Sequence, residues 1–148
     1  LRFLETALAI SREVGMKYIG ALILGEIAAV TGDAERRAAA LAEGEEHLRR
    51  GSVSHAHLWF YEVAIDVHLD HGEWAEAERA ARALLDYARP EPMPWSDFYA
   101  ARGMALAAWG KGGPPEALLP ELRRLAADAA RYRLGRARAA LDRVVAAA

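Results

Sequence analysis

Apolar side chains recur along this chain at helical spacing, and no stretch alternates with the period of two expected for strands. From Leu1 to Val14, Leu4, Ala7, Leu8 and Val14 share one stripe, and Gly15 closes the run as a C-cap. Lys17 to Thr31 is apolar nearly all round (Ile19, Leu22, Ile23, Leu24, Ile27, Val30), which predicts a helix buried on two sides. Asp33 is placed to N-cap Ala34 to Arg50, with Leu41 and Leu48 on one face and Arg36, Arg37, Glu43, Glu45 and Glu46 toward water. Gly51 breaks this helix, and Ser54 opens the next, dense in large residues as far as His71. Gly72 turns the chain into Glu73 to Ala88, a cleanly amphipathic segment through Trp74, Ala77, Ala81, Leu84 and Leu85. Pro90, Pro92 and Pro94 forbid helix before Trp95 to Trp109. Gly110 ends that element, and Gly112, Gly113, Pro114 and Pro115 form a loop. Pro120 is expected in the first turn of a helix to Arg133, followed by a last helix from Leu134 to Ala147. The expectation is an all-α chain of eight helices paired as antiparallel hairpins.

The turn glycines Gly32, Gly72 and Gly110 are spaced 40 and 38 residues apart. Gly25 and Gly103 each precede one of them by seven residues. A period of this size marks stacked helical hairpins, in which one unit cannot bury its apolar face alone.

The segment from Leu58 to Pro90 resembles a tetratricopeptide repeat. Gly72, Glu73 and Trp74 match its turn and second-helix start, Ala81 and Leu84 its inner face, and Pro90 its end. Gly25 and Gly103 match the small residue that lets paired helices touch. Ile65 replaces it in the middle unit, and Ala34 stands where an aromatic would follow the first turn. The resemblance implies hairpins stacked as an α–α superhelix, here one helical-repeat domain over residues 1–148.

The phrases from Gly51 to His55 into Trp59-Phe60-Tyr61, and from Arg89 to Phe98, resemble the C-terminal repeat region of large bacterial signalling proteins. Those proteins join a class III adenylate/guanylate cyclase domain to an ATPase domain and then to repeats. This implies a non-catalytic segment of a longer polypeptide, mediating protein–protein or interdomain contacts. The chemistry of that family resides in domains outside this segment. A small-effector-binding sensor domain of a transcriptional regulator is the other reading.

The chain has 148 residues, 53% hydrophobic and 27% charged, and so is long enough for a sizeable core. A net charge of -2 gives no field directed at nucleic acid. The absence of cysteine removes disulfides and thiolate chemistry and fits a cytoplasmic protein. The most apolar stretch, Tyr18 to Val30, is interrupted by Glu26 and is too short to span a bilayer.

No phosphate loop surrounds Lys111, because the spaced first glycine and the following Ser/Thr are missing. His68 and His71 lie one turn apart without a metalloprotease Glu, so His55, His57, His68 and His71 read as packing or helix-end residues. No catalytic residue, metal or cofactor is expected. If alternate helices line a concave wall, Glu26, Trp59, Glu62, Asp66 and Asp97 converge on a partner groove. Acidic side chains beside an aromatic suit a basic or amphipathic protein segment, from another protein or from upstream domains of the same chain. Homodimerisation is left open. The arginines from Arg123 to Arg143 read as a charged cap on the last hairpin.

Overall fold

The computed structural model describes residues 1–52 and 54–147, which leaves outside it Val53, part of one phrase behind the family resemblance, and Ala148. Among the described residues the chain is wholly helical, with α1 (Arg2–Glu13), α2 (Lys17–Val30), α3 (Ala34–Arg49), α4 (Ser54–Asp70), α5 (Trp74–Ala88), α6 (Pro94–Gly110), α7 (Pro115–Arg131) and α8 (Gly135–Ala147). Two compact units divide the chain, Leu1–Val67 and His68–Ala148.

In the first unit α2 packs against both α1 and α3, which accounts for its apolar circumference. Glu5 of α1 pairs with Arg36 of α3, and Arg12 with Glu43. Both pairs span 31 residues in the same sense, so α1 and α3 run parallel, one on each side of α2. Phe60 of α4 is fully buried. It sits on Gly25 of α2, where an added Cβ would make ordinary contact at 3.5 Å. Its ring also presses on Gly44 of α3, where a Cβ would lie 2.8 Å from Cζ and closer still to Cε2. Gly25 is marked in the sequence by its seven-residue spacing to Gly32, whereas Gly44, the tighter of the two contacts, carries no such mark.

In the second unit α5 packs on α6, α6 on α7, and α7 on α8. The buried face of α5 is a run of small residues, Ala77, Ala80, Ala81 and Ala88 with Leu84, which lets α6 approach closely. Gly103 is buried on α6, and the Arg102 Nε donates to the Ala137 carbonyl at 3.2 Å, tying α6 to α8.

Helix ends follow their punctuation in most places. Asp33 caps α3 by accepting from the Arg36 amide at 2.9 Å. After α1, Gly15 at φ +73 closes a Schellman turn, with Met16 N–H donating to the Ser11 carbonyl and Gly15 N–H to that of Arg12. Gly72 at φ +69 and Gly112 at φ +80 repeat the arrangement after α4 and α6. Arg133 does so after α7 without a glycine's freedom, at φ 58.

The three glycines of the 38–40-residue period have different physical causes. Gly72 alone of them adopts the left-handed conformation. Gly110 is the last residue of α6, and a Cβ there would lie 2.6 Å from the Trp74 ring. Gly32 meets nothing within 4 Å and has no left-handed φ, because Thr31 leaves α2 in an extended conformation. The left-handed glycine after α6 is Gly112, not Gly110.

The start of α7 also differs from the sequence reading. Pro115 is the first-turn proline and Pro114 the extended N-cap, while Pro120 lies inside the helix. A Pro-Pro pair satisfies both conformational demands of a helix start, so α7 begins five residues earlier than expected.

Candidate functional site

In the first unit, α2 and α4 present Ile19, Leu22, His55, Ala56 and Trp59 to an open cleft of about 260 Å³. The spacing explains the convergence: 19, 22 and 26 share one face of α2, and 55, 59 and 62 one face of α4. Trp59 is 47% exposed, a large apolar side chain left in water. His55, one turn before it, leans on the indole at 5.2 Å with an interplanar angle of 59°, which limits the ring's freedom before anything binds. Glu26 and Glu62, half-buried, extend the two faces beyond the apolar floor.

The five expected groove residues separate. Glu26, Trp59 and Glu62 occupy these faces in the first unit. Asp66 belongs to the same unit but is only 6% exposed and is engaged within the fold, so it is no docking surface. A lysine at position 66 would have to bury an ammonium. Asp97, exposed in the first turn of α6, belongs to the second unit.

The large aromatics of α4 and α6 divide between core and surface. Phe60, Phe98 and Tyr99 are buried and act as core, leaving Trp59 as the exposed ring of the set that also includes Tyr61 and Trp95. In the second unit Tyr99 packs edge-on to Phe98 at 5.3 Å and tilted on Trp95 at 4.5 Å. Residues dense and large on every side of a helix have no periodicity to mark which of them face out.

The histidines have local roles. His68 Nδ1 lies 2.6 Å from Glu73 Oε2, linking the end of α4 to the N-cap residue of α5. Among the described residues no three His, Asp or Glu side chains gather as a metal site would require. Burial pushes the His57 imidazole below its ordinary value of 6.5, against a hydrogen bond to the Ser52 backbone that favours the charged ring.

Well above pH 6.5 His57 is neutral in both the folded and the unfolded chain, and its shift has no effect on stability. As pH falls from there through the lowered folded value, the unfolded chain takes up the proton first, so stability declines. The unfolding midpoint is therefore expected to fall as pH is lowered below 6.5, and His57→Gln to flatten that fall. Identical pH profiles for the two proteins would remove His57 as the cause.

The arginines of the last two helices are partly neutralised in place. Arg124 bridges Glu121 at 2.6 Å and Asp128 at 2.7 Å, and Arg138 bridges Asp142 at 2.9 Å. The Arg124 guanidinium holds the Glu121 carboxyl below its ordinary range. Arg131 lies over the Tyr132 ring, 5.4 Å from its centroid.

A second concavity escaped the sequence reading. Between α1 and α3, Leu8, Leu24, Ile27, Ala39 and Ala40 floor an open slot of about 590 Å³, rimmed by Glu5, Arg12, Arg36 and Glu43. The equal spacing of the charges, Glu5 to Arg12 and Arg36 to Glu43, was the signal available. No helix among the described residues is long and apolar enough to cross a membrane. Comparison with known proteins finds no matching family model, no matching curated protein and no matching solved structure.

Proposed function

We propose that the chain is a non-catalytic helical-repeat domain whose hairpins stack in the tetratricopeptide manner. It mediates protein–protein or interdomain contacts within a larger signalling protein of the ATPase/cyclase type. The observation that carries the binding role is Trp59, half in water beside the apolar cleft of Ile19, Leu22 and Ala56. An exposed indole beside apolar side chains supplies the anchor area from which interface energy is built. Glu26 and Glu62 on the same faces steer a basic or amphipathic segment toward it. The parallel pairing of α1 and α3 across α2, and the Trp74 indole seated on Gly110, agree with repeated hairpins. The cleft's openness favours a protein segment over an enclosed effector.

Calorimetric titration of the chain with the remaining domains of its parent polypeptide tests this reading. Trp59→Ala, and separately Glu26→Lys with Glu62→Lys, are each expected to weaken binding at least about tenfold, or ~1.4 kcal/mol. Melting temperatures should stay close to that of the unaltered chain, since neither site belongs to the core. Unchanged affinity in folded variants would dismiss this cleft as the contact surface.

A further inference from the structure

The outer stripe of α1 points to a second binding surface, independent of the Trp59 cleft. Leu8 and Ser11 face inward, but Phe3, Ile10 and Val14 follow one another at i, i+7 and i+11 on an uncovered face. Phe3 is 91% exposed, Val14 60% and Ile10 52%. With Leu1 and Met16 at the helix ends, they leave on the order of 500 Å² of apolar surface in water, the size of patch that marks an interaction site.

The charges of α1 indicate what covers this face. On the flank toward α3, Glu5 and Arg12 are engaged with Arg36 and Glu43. Between that flank and the apolar stripe, Arg2 and Glu13 are exposed and make no ion pair among the described residues. Each also opposes the dipole of its own helix, a cation in the first turn and an anion in the last. An isolated surface helix gains nothing from that arrangement. An antiparallel second helix with the same sequence reverses the balance. Residues on one flank of an antiparallel pair meet the same flank of the partner, so Arg2 of one chain meets Glu13 of the other, twice, about a two-fold axis. The same register seats Phe3 between Ile10 and Val14 of the other copy, and Ile10 between its Phe3 and Ala7, interleaving large and small side chains.

We infer that α1 is a self-association surface, on which two copies of this chain pair antiparallel through Phe3, Ile10 and Val14 with reciprocal Arg2–Glu13 ion pairs. Phe3, Ile10 and Val14 of the two copies form the apolar centre of this interface, and the Arg2–Glu13 pairs form its polar rim.

Sedimentation equilibrium of the 148-residue chain up to about 100 μM is expected to show a reversible dimer. Phe3→Glu with Ile10→Glu should give a monomer of unchanged helical circular dichroism, because both positions lie off the α1–α2 contact. Arg2→Glu alone and Glu13→Arg alone should each weaken the dimer roughly tenfold, since two pairs become repulsive at once. Combining the two exchanges should restore the original affinity, a result that nonspecific apolar association would not produce. A monomer throughout the concentration range would overturn the inference. So would a dimer indifferent to the α1 substitutions, or failure of the double exchange to recover association.

Discussion

Gly44→Ala is expected to destabilise the chain by about 2 kcal/mol, although alanine is the better helix former by about 1 kcal/mol. The added methyl group has to displace Phe60, a fully buried ring that also abuts Gly25. Overpacking of this kind costs about 1–3 kcal/mol, and a rigid aromatic with no exit belongs at the upper end. Gly25→Ala supplies the contrast, because its Cβ would meet the same ring at an ordinary 3.5 Å. There the gain in helix propensity, up to about 1 kcal/mol, should prevail. Denaturant midpoints moving in opposite directions at unchanged slope would establish the difference. Phe60→Leu in the Gly44→Ala background should recover part of the loss by vacating the overlap. Equal effects at the two glycines would mean that Phe60 does not separate them.

Pro120→Ala should move stability the other way, by about 2 kcal/mol. A proline inside a helix is about 3 kcal/mol less favourable than alanine, offset by about 0.4–1 kcal/mol from its stiffening of the unfolded chain. Pro120 is exposed within α7, so no packing is lost on truncation. The new amide would restore a hydrogen bond to the Glu116 carbonyl, which proline leaves without its helical donor. A rise in melting temperature of about 4–8 °C is the expected reading. If α7 instead began at Pro120, that residue would stand where proline is tolerated, and the substitution would bring no rise.

These two sites also show how much of the molecule was legible in its sequence. Helix identity was, because apolar periodicity and punctuation by Gly15, Asp33, Gly51, Gly72 and the proline-rich stretch before α6 agree wherever they occur. The reason for each glycine was not. Gly72 answers to a dihedral angle, Gly110 to the Trp74 ring, and Gly44 to a side chain 16 positions away. A spacing rule treats all three alike, and Gly44 stands among Glu43, Glu45 and Glu46, where nothing nearby hints at contact. Trp59 and Glu62 were recoverable from helical spacing. Asp66 was not, because α4 is apolar or aromatic on most of its circumference and burial there depends on which helices happen to cover it.

The two ion pairs between α1 and α3 are individually weak, since all four side chains are substantially exposed. Their effect lies in what they forbid. One carries its acid on α1 and the other its base. Laying α1 against α3 in the reverse direction would set Glu5 beside Glu43 and Arg12 beside Arg36. Sliding α1 by one turn would leave Arg12 facing Ala39 or His47. Two exposed contacts thereby act as a proofreading code for helix direction and alignment, rejecting mispaired topologies that an alanine-rich surface would otherwise accept.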